Sequence, residues 1–237
     1  MALYVYAVVG AGHPVHLDGL EGVGATSAPL RTVEAGPLRA VVGEAPDGLR
    51  PKRRDLMAHQ AVQERLMNDG TVLPMRFGLT APDEGTVVTA LTDRRTEYLQ
   101  RLEELEGCAE YHLKAAVDED ELLRRILGDS PPARELNDRI RAGDPGPDLP
   151  LALGELVAGE VQARHEALAA GIVGTLQSFA LRNLATPPTG TDFLNVSFLV
   201  AQDHRAAFLV AEKKLFADFG DDVDGRLHGP LPPYSFV

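Results

Sequence analysis

The stretch VVGAGHP at residues 8–14 is the first whose spacing could do chemistry. An apolar strand running into G-x-G begins a dinucleotide-binding fingerprint, in which glycines let the backbone approach a pyrophosphate at a helix N-terminus. The fingerprint needs a third glycine three residues after the second, with a helix opening there. Position 15 is Val, and Pro14 with the loop residues after it opens no helix. GLEGVG at 19–24 has its glycines in the wrong order, and no G-x-x-x-x-G-K-[ST] occurs, so no phosphate loop is expected. His13 and His16 share a loop at a spacing that could ligate a metal, but only Asp18 and Glu21 stand nearby, and a solvated loop is the plainer reading. His165 falls in an apolar helix stripe and reads as a core or interface histidine. Cys108 has no base partner and reads as a small core hydrophobe. Ser178 and Ser197 lack a nucleophile-elbow context. No catalytic residue, cofactor or metal site is therefore expected.

Two other stretches resist a bland reading. In TVLPMRFG (71–78), Arg76 lies between Met75 and Phe77 in an extended run that contains Pro74. Alternation would put Met75 and Phe77 on one face and Arg76 on the other. This is either an edge strand guarded by proline and a charge, or an arginine held at the surface for a partner. At the other end, GPLPPYSFV (229–237) carries Tyr234, Phe236 and Val237 behind three prolines, where termini tend to be small and polar. Such a tail either docks onto the chain's own core or serves another chain.

The elements that must position these stretches follow from hydrophobic period. Strands are expected at Leu3–Val9, Leu30–Glu34, Leu38–Val42, Cys108–Val117 and Phe193–Ala201, with a tight turn at Ala35–Gly36–Pro37. A helix is expected over Asp55–Met67, striped by Leu56, His59, Val62 and Leu66, with Gly70 as a left-handed stop. A long helix from Pro82 to about Glu106, short helices over Asp118–Leu127 and Pro132–Arg141, a long helix from Leu151 to about Leu184, and one from an Asp203 cap to Phe219 complete the pattern. The fold class expected is α+β, in two domains, 1–106 and 107–237, each a ferredoxin-like or modified ferredoxin-like sheet with one face covered by amphipathic helices.

Bulk properties narrow the function. The net charge is −12, which repels phosphate backbones and anionic lipid, and Trp is absent, so neither nucleic acid nor membrane is an expected partner. The basic run Arg50, Lys52, Arg53, Arg54 is closed by Asp55 and reads as a solvated loop. One cysteine fits a reducing cytoplasm, and MALYVYAVVG reads as a first strand and not as a signal peptide.

Together, LPMRFG in the first half and GPLPPYSFV at the end resemble the signatures of the GvpF/GvpL family of gas vesicle proteins. The resemblance extends to the helix with His59 and Val62 before the first motif and the long charged helix after it. The family usually has Trp where this chain has Leu231, and often Asn where it has Ser235. The resemblance implies a non-enzymatic accessory or minor structural protein of the gas vesicle, cytoplasmic, that binds the small hydrophobic shell protein (GvpA-like) and other accessory proteins, limits aggregation and helps nucleate assembly. The residues it singles out for partner binding or for a domain clasp are Leu73, Pro74, Arg76, Phe77 and Gly78 in the first motif. In the tail they are Gly229, Pro230, Pro232, Pro233, Tyr234 and Phe236. The alternative is a small-molecule sensor or enzyme on a ferredoxin-like scaffold, with Arg76 gripping an anion.

Overall fold

The computed structural model describes residues 1–24, 29–143, 146 and 148–237; the loop readings at 25–28, 144–145 and 147 lie outside these. The chain divides into two compact units, residues 1–111 with 199–202 and 229–237, and residues 112–198 with 203–228. The C-terminal tail thus counts with the first unit, whereas the sequence grouped it with 107–237.

The first unit is built on strands β1 (Leu3–Gly10), β2 (Arg31–Ala35), β3 (Leu38–Glu44), β4 (Leu73–Pro74) and β5 (Thr80–Ala81). They form an antiparallel sheet in the order β2-β3-β1-β4, with β5 also on β1. Helices α1 (Arg53–Asp69), α2 (Glu84–Asp93) and α3 (Arg95–Glu104) cover it. Both sheet faces are covered, not one. Val5, Val8 and Val42 pack with Val87 and Leu91 of α2, while Tyr4, Tyr6 and Val41 pack with Val62 and Leu66 of α1. A strand buried on both faces must be apolar throughout, and LYVYAVVG is. The β1 register slips between Val5 and Ala7, a bulge that places Tyr6 and Ala7 together on the α1 side.

Four local expectations give way to the structure. The buried face of α1 is Asp55, His59, Val62, Gln63 and Leu66; Leu56 is 43% exposed. Gly70 is extended (φ 164°) and not left-handed; a Cβ there would stand 3.0 Å from Cδ2 of His13, so packing is what asks for glycine. The helix expected over 82–106 is broken into α2 and α3 at Arg94 (φ −102°, ψ 17°), just after Thr92 Oγ1 bonds back to the Val88 carbonyl at 2.7 Å. The run TVLPMRF is a strand only at Leu73–Pro74. Past Pro74 the alternation lapses, so Met75 packs toward the α2 side and Phe77 toward the α1 side, on different faces.

The second unit contains α4 (Glu119–Asp129), α5 (Pro131–Arg141), α6 (Leu149–Leu176) and α7 (Arg205–Phe219), with β7 (Arg182–Ala185) and most of β6 (Cys108–Val117), β8 (Asp192–Ala201) and β9 (Val223–Leu231). The sheet order is β7-β8-β6-β9. Leu122, Ile126 and Ala133 of α4 and α5 pack against Leu153, Leu156, Val157 and Val161 of α6. Asp118 caps α4, its Oδ1 accepting the Glu121 N–H at 2.9 Å. The long helix ends at Leu176 rather than Leu184, because 182–185 pairs with β8 as an edge strand. Helix α7 begins after His204, with no side-chain cap from Asp203.

Candidate functional site

The first motif and the tail meet on one side chain, His59 of α1. Tyr4 of β1 places its hydroxyl 2.9 Å from His59 Nδ1 and accepts the Gly78 N–H at 3.0 Å. His59 Nε2 stands 3.1 Å from the Met75 carbonyl and 3.2 Å from the Tyr234 hydroxyl. A carbonyl only accepts, so Nε2 carries the proton and Nδ1 accepts from the Tyr4 O–H. A directed chain results, from Gly78 N–H through Tyr4 to His59 and back to Met75 of the same motif. Gly78 sits at φ +92°, so glycine is required where its N–H turns toward Tyr4.

The rings around this chain close it off from water. Tyr6 stacks on His59 at 5.6 Å between centroids, and Phe77 meets the edges of both His59 and Tyr4 at 5.7 and 5.9 Å. Gln63 donates to the Tyr6 carbonyl, which also accepts the Met75 N–H at 2.8 Å. Burial pushes the His59 imidazole below the ordinary histidine range, against the opposing pull of the Met75 carbonyl. Burial likewise pushes the Tyr4 and Tyr6 hydroxyls up to about 12 and raises Tyr234. A neutral imidazole with both nitrogens engaged offers no lone pair to a substrate. The junction organises backbone.

The tail docks on the core of the first unit. Pro232 and Pro233 are buried, and Phe236 is 4% exposed among Leu73, Leu105 and Leu199. Ser235 binds Glu110 twice, N–H to Oε2 at 2.8 Å and hydroxyl to Oε1 at 2.7 Å. Gly229 lies so close to its neighbours that a Cβ would stand 2.6 Å from Cδ1 of Tyr111 and 2.9 Å from the Glu110 carbonyl. The Gly229–Pro230 bond is cis.

The structure brings most of the singled-out residues together. Leu73 and Phe236 share one core cluster, and Phe77, Gly78 and Tyr234 share the His59 junction. Pro74 is buried in the edge strand, where its missing N–H costs nothing. Arg76 is exposed and stands apart. Sequence reasoning missed His59 as the hub, and with it Tyr4, Glu110 and Ser235. The available signal was the histidine inside an apolar stripe; Glu110 falls on the polar side of a strand read as alternating, so nothing in the spacing marked it. His13 and His16 close the α1 end: His13 Nε2 donates to the Leu66 carbonyl at 3.0 Å, and His16 pairs with Asp69 at 3.1 Å. Among the described residues no group of three or more His, Cys, Asp or Glu could hold a metal ion. No helix among them is long and apolar enough to cross a membrane.

Residues 2–237 match the family described as gas vesicle synthesis protein GvpL/GvpF. The chain is 42% identical over 238 residues to gas vesicle protein F of Streptomyces sp. (strain CB03234), covering 100% of both proteins. It is 27% identical over 261 residues to gas vesicle protein L of the same strain, covering 99% of this chain and 92% of that protein. Crystal structures of GvpF from Anabaena sp. PCC7120 and from Microcystis aeruginosa superpose with TM-scores of 0.85 and 0.82, at 21% and 23% identity. Each alignment covers 99% of this chain, with 97% and 98% of the respective structures. At that identity the structures establish the shared fold: two antiparallel sheets, each with helices.

Proposed function

The chain belongs to the GvpL/GvpF family of gas vesicle synthesis proteins, and from that premise we propose that it is an F-type accessory or minor structural protein of the gas vesicle. It acts in the cytoplasm, binds the small hydrophobic major shell protein (GvpA-like), limits its aggregation and helps nucleate assembly. The observation that carries this reading is the full-length likeness to gas vesicle protein F.

The physical chemistry supports it. A subunit of a water-excluding wall has a strongly apolar face and aggregates when free. A partner that keeps it in solution benefits from like-charge repulsion between complexes, and the net charge of −12 supplies that. The apolar tail is already engaged in its own core, so the docking surface lies elsewhere. Leu79 beside β5, and Leu181 and Leu184 at the β7 edge, are 45%, 54% and 45% exposed. Sheet edges with exposed leucines suit an added strand from a partner.

The test is light scattering of refolding shell protein with and without this chain at equimolar ratio, followed by gel filtration. Suppressed scattering and a soluble complex are expected. Unchanged scattering with no complex would end the direct-binding reading.

A further inference from the structure

A cavity of about 460 Å³ opens in the second unit between α4, α6 and the turn from α7 into β9. That volume lies within the range of sites that take a small ligand or a large side chain. Its apolar lining comes from Val117, Leu122, Leu168, Phe219 and Val223. Its polar lining is Asp118, Glu121, Asp221 and Asp222, against Arg125 and Arg164.

The two cations are committed. Arg125 donates to Asp222 at 2.9 and 2.6 Å and to Glu121 at 3.1 Å, and Arg164 donates to Asp129 at 3.1 Å. Each guanidinium already faces a carboxylate of this chain, so an incoming anion would compete with it. Among the described residues Asp221 has no ion-pair partner, and Asp118 uses one oxygen on its helix cap. The cavity therefore joins an apolar lining to a mouth with spare negative charge, in a chain that is itself strongly acidic.

We infer that this cavity is a socket for an apolar side chain of a partner polypeptide that carries a lysine or arginine beside it. Charge complementarity selects that occupant: the lining sets four carboxylates against two guanidiniums, an excess of negative charge that repels an acidic segment, and an uncharged one would leave Asp221 unused. The inference rests on the reading of the chain as a binder of an apolar subunit and names the kind of segment it grips.

Gly171 gives a clean test. It lines the cavity on α6, and a Cβ there meets nothing within 4 Å. Gly171→Leu fills the cavity while replacing a poor helix former by a good one, so the fold is kept. The probe is a fluorescein-labelled amphipathic helical peptide of Leu and Lys; the control is a peptide of the same pattern with Glu for Lys. Fluorescence anisotropy is read on the full chain. Binding of the Leu–Lys peptide is expected to weaken by about tenfold or more in Gly171→Leu. It should also weaken in Asp221→Asn and with added salt, and the Leu–Glu peptide should not bind. Equal affinity in Gly171→Leu, with its melting temperature kept, overturns the socket, as does equal binding of the Leu–Glu peptide or none of either. Capture of the shell protein by the unaltered chain is scored separately. Capture that survives Gly171→Leu removes the socket but leaves the proposed function standing, and absent capture with peptide binding intact does the reverse.

Discussion

Tyr234 and His59 are separated by 175 positions in the chain, yet the tyrosine hydroxyl lies 3.2 Å from the histidine Nε2. The same imidazole holds the Met75 carbonyl. The two sequence motifs are thus tied to one side chain, and the tail is part of the core of the first unit rather than a loose end.

Phe236→Ala should cost about 3–5 kcal/mol of stability, as for other buried aromatic truncations. Deleting residues 230–237 should cost more and lower the melting temperature sharply. Urea unfolding measures both. A deletion variant with unchanged stability and lost partner binding would make the tail a contact and not a clasp.

Glu110 and Ser235 should be coupled. Ser235→Ala removes the hydroxyl bond and should cost about 1.5–3 kcal/mol, the range for a bond to a charged group. Glu110→Ala should cost at least as much, because it also strands the Ser235 N–H. The double variant should lose less than the two single losses combined. Strict additivity in thermal melts would mean the pair does not act together.

Stability should fall as the solution is acidified from pH 7. Burial lowers the His59, His13 and His165 pKa values in the folded chain. The unfolded chain then binds more protons once pH drops through about 6.5, so the loss starts there and stops growing below the depressed folded values. Asp55 adds a second loss, since the Gly24 N–H and Arg54 hold its carboxyl below the usual range. That part is present above about pH 4 and disappears as pH falls through its folded value. Urea midpoints at pH 7.5, 6.5 and 5.5 read the histidine window. A flat profile there would contradict the neutral His59 junction.

Gly229→Ala should destabilise by about 1–3 kcal/mol, because its Cβ meets the Tyr111 ring and the Glu110 carbonyl, and backbone cannot move aside cheaply. Gly171→Ala, whose Cβ meets open space within a helix, should be neutral or stabilising by up to about 1 kcal/mol. Differential scanning calorimetry on the pair checks the contrast; equal effects would mean close approach at Gly229 does not matter.

Much of the chain was legible in its residues. The β-branched and aromatic run LYVYAVVG, the A-G-P turn and the striped α1 each point to a single local structure, because residue type and, in the helix, the 3.6-residue repeat act over a few neighbours whatever the surroundings. The two motifs stood out for a similar local reason: proline in a strand and aromatics at a terminus are costly unless something uses them. What burial repeats could not convey was which faces are covered. Leu56 is apolar yet faces water, while Asp55 and Gln63 on the same helix are buried, since their partners are the Gly24 N–H and the Tyr6 carbonyl.

By itself the sequence determined the strands β1, β2, β3, β6 and β8, most of the helices, the α+β class, the excess of negative charge and the two segments that carry the resemblance to the family. These depend on neighbours within a few residues, or on sums over the chain. Only the tertiary structure decided that 182–185 leaves the long helix to pair with β8, that the tail joins the first unit, and that His59 links Met75 to Tyr234. Each of those depends on a partner far along the chain. A buried polar atom takes whichever complementary group the fold brings within hydrogen-bond reach, and sequence spacing carries no record of that choice.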